Sequence, residues 1–183
     1  MDLDILIWIN NNWHGVPFIN YMFKYITYLG EMGIIWIVTA LFLLIFKKTR
    51  KCGVYVGIAL LSTLVLNNLI LKNIFARPRP FAESIELMEF IKSIGMKLPG
   101  EYSFPSGHTF SAFSCATMIT LVFKKKGLYA FIPATIISFS RIYLCVHYVT
   151  DVLGGAILGV AVAFGLYYFN EFILKRFKKA PNK

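Results

Sequence analysis

Five apolar runs follow one another along the chain, with short polar or basic segments between them. They cover approximately residues 32–46, 53–71, 108–123, 128–144 and 150–174. A helix needs about 20 mostly apolar residues to cross a bilayer, and each run approaches or reaches that length. The pattern therefore predicts an all-α fold, a polytopic transmembrane helical bundle with five spans.

The segment before the first run leaves a sixth span open. Residues 18–29 are also largely apolar. They either extend the first run as one long tilted helix, which we favour, or form a separate membrane-embedded helix. Near the N-terminus, ILIWINNNW sets two Trp residues among polar ones, which is typical of an interfacial anchor. The stretch IELMEFIKSIGMKL has the spacing of an amphipathic helix that lies along the interface.

Composition and length agree with this architecture. Hydrophobic residues make up 57% of the 183 residues and charged residues 15%, with a mean hydropathy of +0.64. An ordinary soluble domain is less apolar and more charged. We expect one domain over residues 1–183, because this length gives no reason for a second.

Small residues within the apolar runs are expected to serve packing. Cys52, Cys115 and Cys145 show no metal-binding spacing, so we interpret them as small buried hydrophobes. Gly155 and Gly159 form a small-xxx-small pair in the last run. Such a pair lets two helices approach closely.

Basic clusters between the runs predict the orientation in the membrane. The net charge is +10, and its main clusters are KKTRK at 47–51, KKK at 124–126 and KRFKK at 175–179. With five spans all three clusters fall on one face, which the positive-inside rule makes cytoplasmic. The long segment 72–107 then lies on the non-cytoplasmic face. We expect the protein in the inner membrane of a bacterium. Because the charge follows membrane topology, we expect no nucleic-acid partner.

Eight polar residues are not explained by packing, and the topology brings them to the non-cytoplasmic ends of the spans. They are Lys72, Arg79, Ser106, Gly107, His108, Arg141, His147 and Asp151. Lys72, Arg79 and Arg141 form a cluster of positive charge that favours an anion, and Arg binds phosphate in a bidentate manner. The Ser106 hydroxyl and the Gly107 backbone N–H, at a helix start, offer further donors to phosphate.

Two histidines indicate chemistry beyond binding. His147 and Asp151 are four residues apart, so on a helical turn the carboxylate can accept the imidazole N–H and leave the other nitrogen as a nucleophile. His108 can protonate the leaving oxygen and later activate water. Two histidines and an aspartate could also bind zinc. The neighbouring cations would repel a divalent ion, so we expect metal-independent chemistry with no cofactor.

Each of these residues also has an ordinary structural interpretation. Lys72 and Arg79 could anchor at lipid headgroups, Arg141 could pair with Asp151, and His108 could be a helix-end hydrogen-bond donor. Taken together, these interpretations require a coincidence of residue type, spacing and membrane side. A membrane transporter or scaffold that only binds phosphate is the alternative from another class.

Three motifs carry a family resemblance. The chain reads KNIFARPRP from Lys72 to Pro80, PSGH from Pro105 to His108, and SRIYLCVHYVTD from Ser140 to Asp151. These match the signature K-x6-RP, PSGH and SR-x5-H-x3-D, so the chain resembles the type 2 phosphatidic acid phosphatase superfamily.

The resemblance implies a role for each signature residue. His147 would be the nucleophile, Asp151 its partner and His108 the acid. The implied phosphate contacts are Lys72, Arg79, Ser106, Gly107 and Arg141. Arg77 falls outside the signature positions, and a contact with a second phosphate or a lipid headgroup is open to it.

The small size and short loops resemble bacterial membrane lipid phosphatases. We expect the partners to be the bilayer and a lipid phosphate, first undecaprenyl pyrophosphate, which would be converted to the monophosphate. The alternatives are phosphatidylglycerophosphate, phosphatidate or lipid A. The sequence leaves the oligomeric state open.

Overall fold

The computed structural model describes residues 1–178. Lys179 of the third basic cluster and the end of the expected 1–183 domain lie outside the described residues. The described chain forms ten α-helices and contains no strand, so the all-α prediction is confirmed. The helices are α1 (Asp2–Trp13), α2 (Pro17–Leu29), α3 (Ile34–Ile45), α4 (Arg50–Val65), α5 (Lys72–Phe75), α6 (Pro80–Glu83), α7 (Ile85–Ser93), α8 (Gly107–Phe123), α9 (Phe131–Tyr143) and α10 (Val149–Lys178). A π-helix (Leu66–Leu71) joins α4 to α5, and 3-10 turns cover Glu31–Gly33 and Lys124–Ala130.

The helices differ in their capacity to cross a membrane. The helical segments Arg50–Glu83 and Val149–Arg176 are long and apolar enough, and α2 with α3 makes a third span if the bent pair counts as one. Helices α8 and α9 are shorter, at 17 and 13 residues. The expected five spans all correspond to helices, and their number as membrane spans stays a prediction.

The first expected span is a bent pair of helices. We favoured one long helix from Phe18 onward, but the axes of α2 and α3 differ by 45°. Met32 and Gly33 between them have φ of 49° and 73°, in the left-handed region that an α-helix cannot contain. The backbone conformation at these residues therefore ends α2 and begins α3 in a new direction.

Helix α8 lies at the centre of the bundle and packs against α4, α9 and α10. Its contact with α10 depends on two glycines. A Cβ at Gly155 would lie 2.8 Å from the Ser106 carbonyl oxygen, and one at Gly159 would lie 2.6 Å from that of Phe110. The prediction of close helix packing at these glycines is confirmed.

Chain direction brings several helix ends together at one end of the bundle. The segment that begins with α4 reaches this end at α5 (Lys72–Phe75), and α9 ends here, while α8 and α10 begin here. Helices α1 and α7 cover this end through a second apolar cluster that includes Leu6, Leu87 and Val146. All three cysteines are buried, as expected.

Two basic clusters meet at the opposite end. Lys51 at the start of α4 pairs with Glu171 near the end of α10, with 2.5 Å between Nζ and Oε1. The Tyr55 hydroxyl donates to the same carboxylate oxygen at 2.7 Å. The N-terminal end of α4 and the C-terminal end of α10 therefore share one face.

Candidate active site

A cavity of about 650 Å³ opens where the helix ends meet. Six of the eight predicted site residues line it: Lys72, Arg79, Gly107, His108, Arg141 and His147. These residues come from the end of the second run, the α5 to α6 loop, the start of α8, the end of α9 and the loop before α10. The structure thus brings together residues that are up to 75 positions apart in the sequence.

The ring of His147 has a defined orientation. Its Nε2 lies 3.2 Å from Nη1 of Arg79, and its Nδ1 lies 3.4 Å from Oδ2 of Asp151. A guanidinium can only donate, so Nε2 of a neutral ring must accept and the proton must sit on Nδ1. The imidazole therefore carries a lone pair beside the cations and an N–H that faces the carboxylate.

Asp151 lies behind His147 and is fully buried. Its Oδ2 accepts from the Ser103 hydroxyl and, at 2.9 Å, from the Tyr148 backbone N–H. Its Oδ1 accepts from Nη1 of Arg77 at 2.7 Å. A buried carboxylate is retained only when it is paired and hydrogen-bonded, and these contacts meet that requirement.

Arg79 and Lys72 are held by the long segment before α8. Arg79 donates from Nε to the Glu101 carbonyl oxygen at 2.6 Å and from Nη1 to that of Val146 at 2.9 Å. The Lys72 ammonium pairs with the Glu101 carboxylate. The Lys72 hydrogen bond holds the pKa of Glu101 below its ordinary value, and the charges of Lys72, Arg79 and Arg141 act in the same direction.

Arg141 is buried and depends on the second helix. Its Nη1 donates to Oγ1 of Thr27 at 2.6 Å, while its Nε has no protein partner among the described residues. This guanidinium therefore keeps an unused donor next to the cavity, as an anion-binding group requires.

The residues at the start of α8 have different surroundings. Gly107 faces the cavity, and a Cβ there would lie 2.8 Å from Nδ2 of Asn67, so only glycine fits without a shift. Ser106 is buried but does not line the cavity; its hydroxyl accepts from Thr109 at 3.2 Å. The predicted contact of Ser106 with phosphate stays a prediction.

Sequence reasoning assigned no role to three supporting residues. Ser103 bonds Asp151, Thr27 bonds Arg141, and the Glu101 side chain pairs with Lys72. Ser103 stands beside the PSGH motif, and Glu101 is an acid in the one long polar segment. These positions in the sequence could have marked Ser103 and Glu101 as supporting residues. Thr27 lies in an apolar helix, and no feature of the sequence marks it.

Together these features describe a helical membrane protein with an anion-binding cavity. A helical bundle with long apolar helices carries a cavity at one end, lined by four cationic side chains, two glutamates and two histidines. Such a cavity is suited to a phosphate group at a membrane surface.

Comparison with known proteins identifies the family. Residues 52–174, more than half of the chain, match the PAP2 superfamily. The chain belongs to the PAP2 superfamily, as the motifs indicated. It is a phosphatase and a multi-pass membrane protein.

Relatives within the family differ in their substrates. The chain is 31% identical over 156 residues to an undecaprenyl-diphosphatase of Sulfolobus acidocaldarius, covering 84% of this chain and 71% of that one. It is 32% identical to a lipid A 4'-phosphatase of Porphyromonas gingivalis over 142 residues, 72% of this chain and 59% of the relative. A transmembrane PAP2-type phosphatidylglycerolphosphate phosphatase of Bacillus subtilis has a similar structure, with a TM-score of 0.70, 27% identity and coverage of 94% and 85%.

Proposed function

We propose that this protein hydrolyses undecaprenyl pyrophosphate to the monophosphate through a phosphohistidine on His147, without a metal ion. The observation that carries the mechanism is the pair of contacts on the His147 ring. Nε2 accepts from Arg79 and Nδ1 faces Asp151. This arrangement directs a lone pair toward a cavity whose cations suit a phosphate.

The first step transfers the phosphoryl group to the protein. The Nε2 lone pair of His147 attacks phosphorus, and the bond from phosphorus to the leaving oxygen breaks. That oxygen departs with the electron pair and takes a proton from His108. Lys72, Arg79 and Arg141 stabilise the charge on the phosphoryl oxygens.

The second step restores the enzyme. Water attacks the phosphorus of the phosphohistidine and gives a proton to His108. The bond between phosphorus and Nε2 breaks, and its electron pair returns to the ring of His147. Inorganic phosphate leaves, and both histidines are again in their starting protonation states.

Two considerations support the lipid substrate. The cavity opens at one end of an apolar bundle, so a phosphate can enter it while the lipid tails stay in the membrane. The similarity to the Sulfolobus undecaprenyl-diphosphatase extends over 84% of the chain. Lipid A, phosphatidylglycerophosphate and phosphatidate are the alternatives, and relatives that act on lipid A and on phosphatidylglycerophosphate are also similar.

The substrate is tested with purified protein and a panel of these four lipid phosphates, each assayed for phosphate release in EDTA. We expect the highest kcat/KM for undecaprenyl pyrophosphate and no loss of rate in EDTA. A higher value for another lipid would replace the proposed substrate. Loss of activity in EDTA that added metal restores would contradict the metal-independent mechanism.

The intermediate is tested with radiolabelled substrate and His108→Ala. This variant lacks both the acid of the first step and the base of the second. The leaving group of a pyrophosphate is itself a phosphate, which needs the acid less than water needs the base, so the label should accumulate on His147 as an acid-labile adduct. His147→Ala should carry no label and release no phosphate. His14→Gln is the matched control, because His14 bonds Asn10 and the Tyr143 carbonyl away from the cavity. Full activity of His147→Ala would exclude the mechanism.

A further inference from the structure

Arg77 stands outside the signature and yet touches the catalytic machinery. Its Nη1 donates to Oδ1 of Asp151 at 2.7 Å, on the oxygen opposite to the one that faces His147. Oδ1 of the carboxylate therefore accepts a charge-assisted bond from Arg77, while Oδ2 faces Nδ1 of His147 at 3.4 Å and accepts from Ser103 and Tyr148.

The guanidinium of Arg77 is itself fixed on several sides. Its Nη2 donates to Oδ2 of Asp2 at 3.0 Å, and its Nη1 also donates to the Thr150 hydroxyl at 2.6 Å. The guanidinium carbon lies 3.8 Å from the centre of the Tyr148 ring, a stacking arrangement that Arg adopts readily. Arg77 is thus braced by helix α1 and by the first residues of α10.

This placement disfavours the phosphate or headgroup contact that the sequence left open for Arg77. The cationic side chains of the signature, Lys72, Arg79 and Arg141, line the cavity, but Arg77 does not. Its donors are directed at Asp151, Asp2 and Thr150 instead. The charge of Arg77 acts on the carboxylate and not on the cavity.

We propose that Arg77, braced by Asp2, is a positioning residue that holds the Asp151 carboxylate against Nδ1 of His147. The proposal rests on the proposed function, in which His147 is the nucleophile. A buried carboxylate without its counter-charge is strongly disfavoured, so loss of Arg77 would let Asp151 rotate or recruit water. The imidazole would then lose its orientation, and the nucleophilic attack would slow.

The test measures kcat and KM for phosphate release from the lipid of the panel that has the highest kcat/KM. Arg77→Ala should lower kcat about 10- to 100-fold, less than the roughly 10²–10⁴-fold that a group transferring the proton itself contributes, and leave KM within about twofold. Arg77→Lys should recover part of kcat, because an ammonium restores the charge but not the fork. Asp2→Asn should give a smaller loss in kcat, because it weakens the brace by removing its negative charge and leaves the contact with Asp151.

Chemical rescue distinguishes positioning from a general structural role. The Arg77 side chain is 31% exposed, so added guanidinium ion can reach the space that Arg77→Ala creates and should raise its kcat. Arg50→Ala is the matched control; Arg50 lies at the other end of α4 and donates to the Leu44 carbonyl. Its kcat should be normal and unaffected by guanidinium.

Two outcomes would overturn the inference while the proposed function stands: full kcat in Arg77→Ala, or a rise in KM alone. If Arg77→Ala does not fold, a normal rate in Asp2→Asn together with a normal rate in Arg77→Lys would overturn it. An inactive wild type or an active His147→Ala would instead contradict the proposed function.

Discussion

At the scale of single residues, Glu101 pairs with one of the proposed phosphate-binding cations. Its carboxylate pairs with Lys72, whose side chain is 8% exposed, while its own side chain is 64% exposed. A phosphate that enters the cavity must therefore compete with this carboxylate for the ammonium of Lys72.

Glu101→Gln should strengthen inhibition by inorganic phosphate. Removal of the competing charge frees Lys72, and an ion pair with an exposed partner contributes up to about 1 kcal/mol, so Ki should fall about twofold to fivefold. Phosphate titration of the hydrolysis rate measures this. Glu89→Gln, on exposed α7, is the control, and an unchanged or higher Ki in Glu101→Gln would contradict the competition.

The same residue predicts a pH dependence of stability. The hydrogen bond from Lys72 holds the pKa of Glu101 below its ordinary value. Its contribution to stability is therefore present above the ordinary Glu pKa of about 4.3 and is lost as pH falls through the lowered pKa. The wild type should have a slightly higher Tm than Glu101→Gln at about pH 6, and the difference should vanish toward about pH 3. A difference that grows in acid would contradict the assignment.

Thr27 determines how Arg141 is presented to the cavity. Thr27→Val removes the one hydrogen bond that the described residues give this guanidinium, so the side chain must be ordered when substrate binds. Ordering such a side chain costs about 0.5–1.5 kcal/mol, and KM should rise about twofold to tenfold. Thr39→Val is the control, since Thr39 bonds only the Ile35 carbonyl within α3. Steady-state kinetics with the lipid of the panel that has the highest kcat/KM measure KM for both variants.

The sequence predicted the residues that carry chemistry better than the residues that support them. Lys72, His108 and His147 stand in motifs whose spacing is readable along the chain. The partner of Arg141 is 114 residues away in an apolar helix. A contact of this kind arises only when the helices pack, so no local pattern marks it.

At the scale of the helices, the hydropathy pattern predicted where the helices lie but not where they bend. The last three apolar runs agree with α8, α9 and α10 to within a few residues. The bend after α2 depends on left-handed conformations at Met32 and Gly33. Glycine there is a signal, but methionine is not, so the bend could not be predicted from residue type alone.

Gly159→Ala should destabilise the contact of α10 with α8. The new methyl group would lie 2.6 Å from the Phe110 carbonyl oxygen, and overpacking of this kind costs about 1–3 kcal/mol. Gly165→Ala is the matched control, because a Cβ there meets nothing within 4 Å and alanine favours a helix. Thermal unfolding in detergent should give a lower Tm for the first variant and an equal or higher Tm for the second. Equal stability of both variants would contradict the packing role.

At the scale of the whole molecule, the cavity and the basic clusters lie at opposite ends of the helices. Helix α4 begins within residues 47–51 and runs toward Lys72. Helix α10 begins near Asp151 and runs toward the cluster that starts at Lys175. The positive-inside rule assigns the basic end to the cytoplasm. We therefore expect the cavity to open on the non-cytoplasmic side.

Cysteine labelling in intact cells tests this orientation. The native cysteines are buried, so they give little background. An impermeant reagent should label Glu89→Cys, on the exposed face of α7 at the same end as the cavity, and should miss Lys125→Cys, in the turn that follows α8. The reverse pattern would place the cavity on the cytoplasmic side.

The wide turn at Leu66–Leu71 lies inside the second apolar run and contains Asn67 and Asn68. A π-helical hydrogen bond encloses one residue more than an α-helical bond does, and one residue corresponds to about 100° of rotation around the axis. Everything after the turn is rotated by that amount relative to a regular helix. Apolar residues in this run can be exchanged for one another without changing the direction of Lys72, whereas an insertion or deletion of one residue cannot. The length of the run, more than its composition, sets where the ammonium of Lys72 stands.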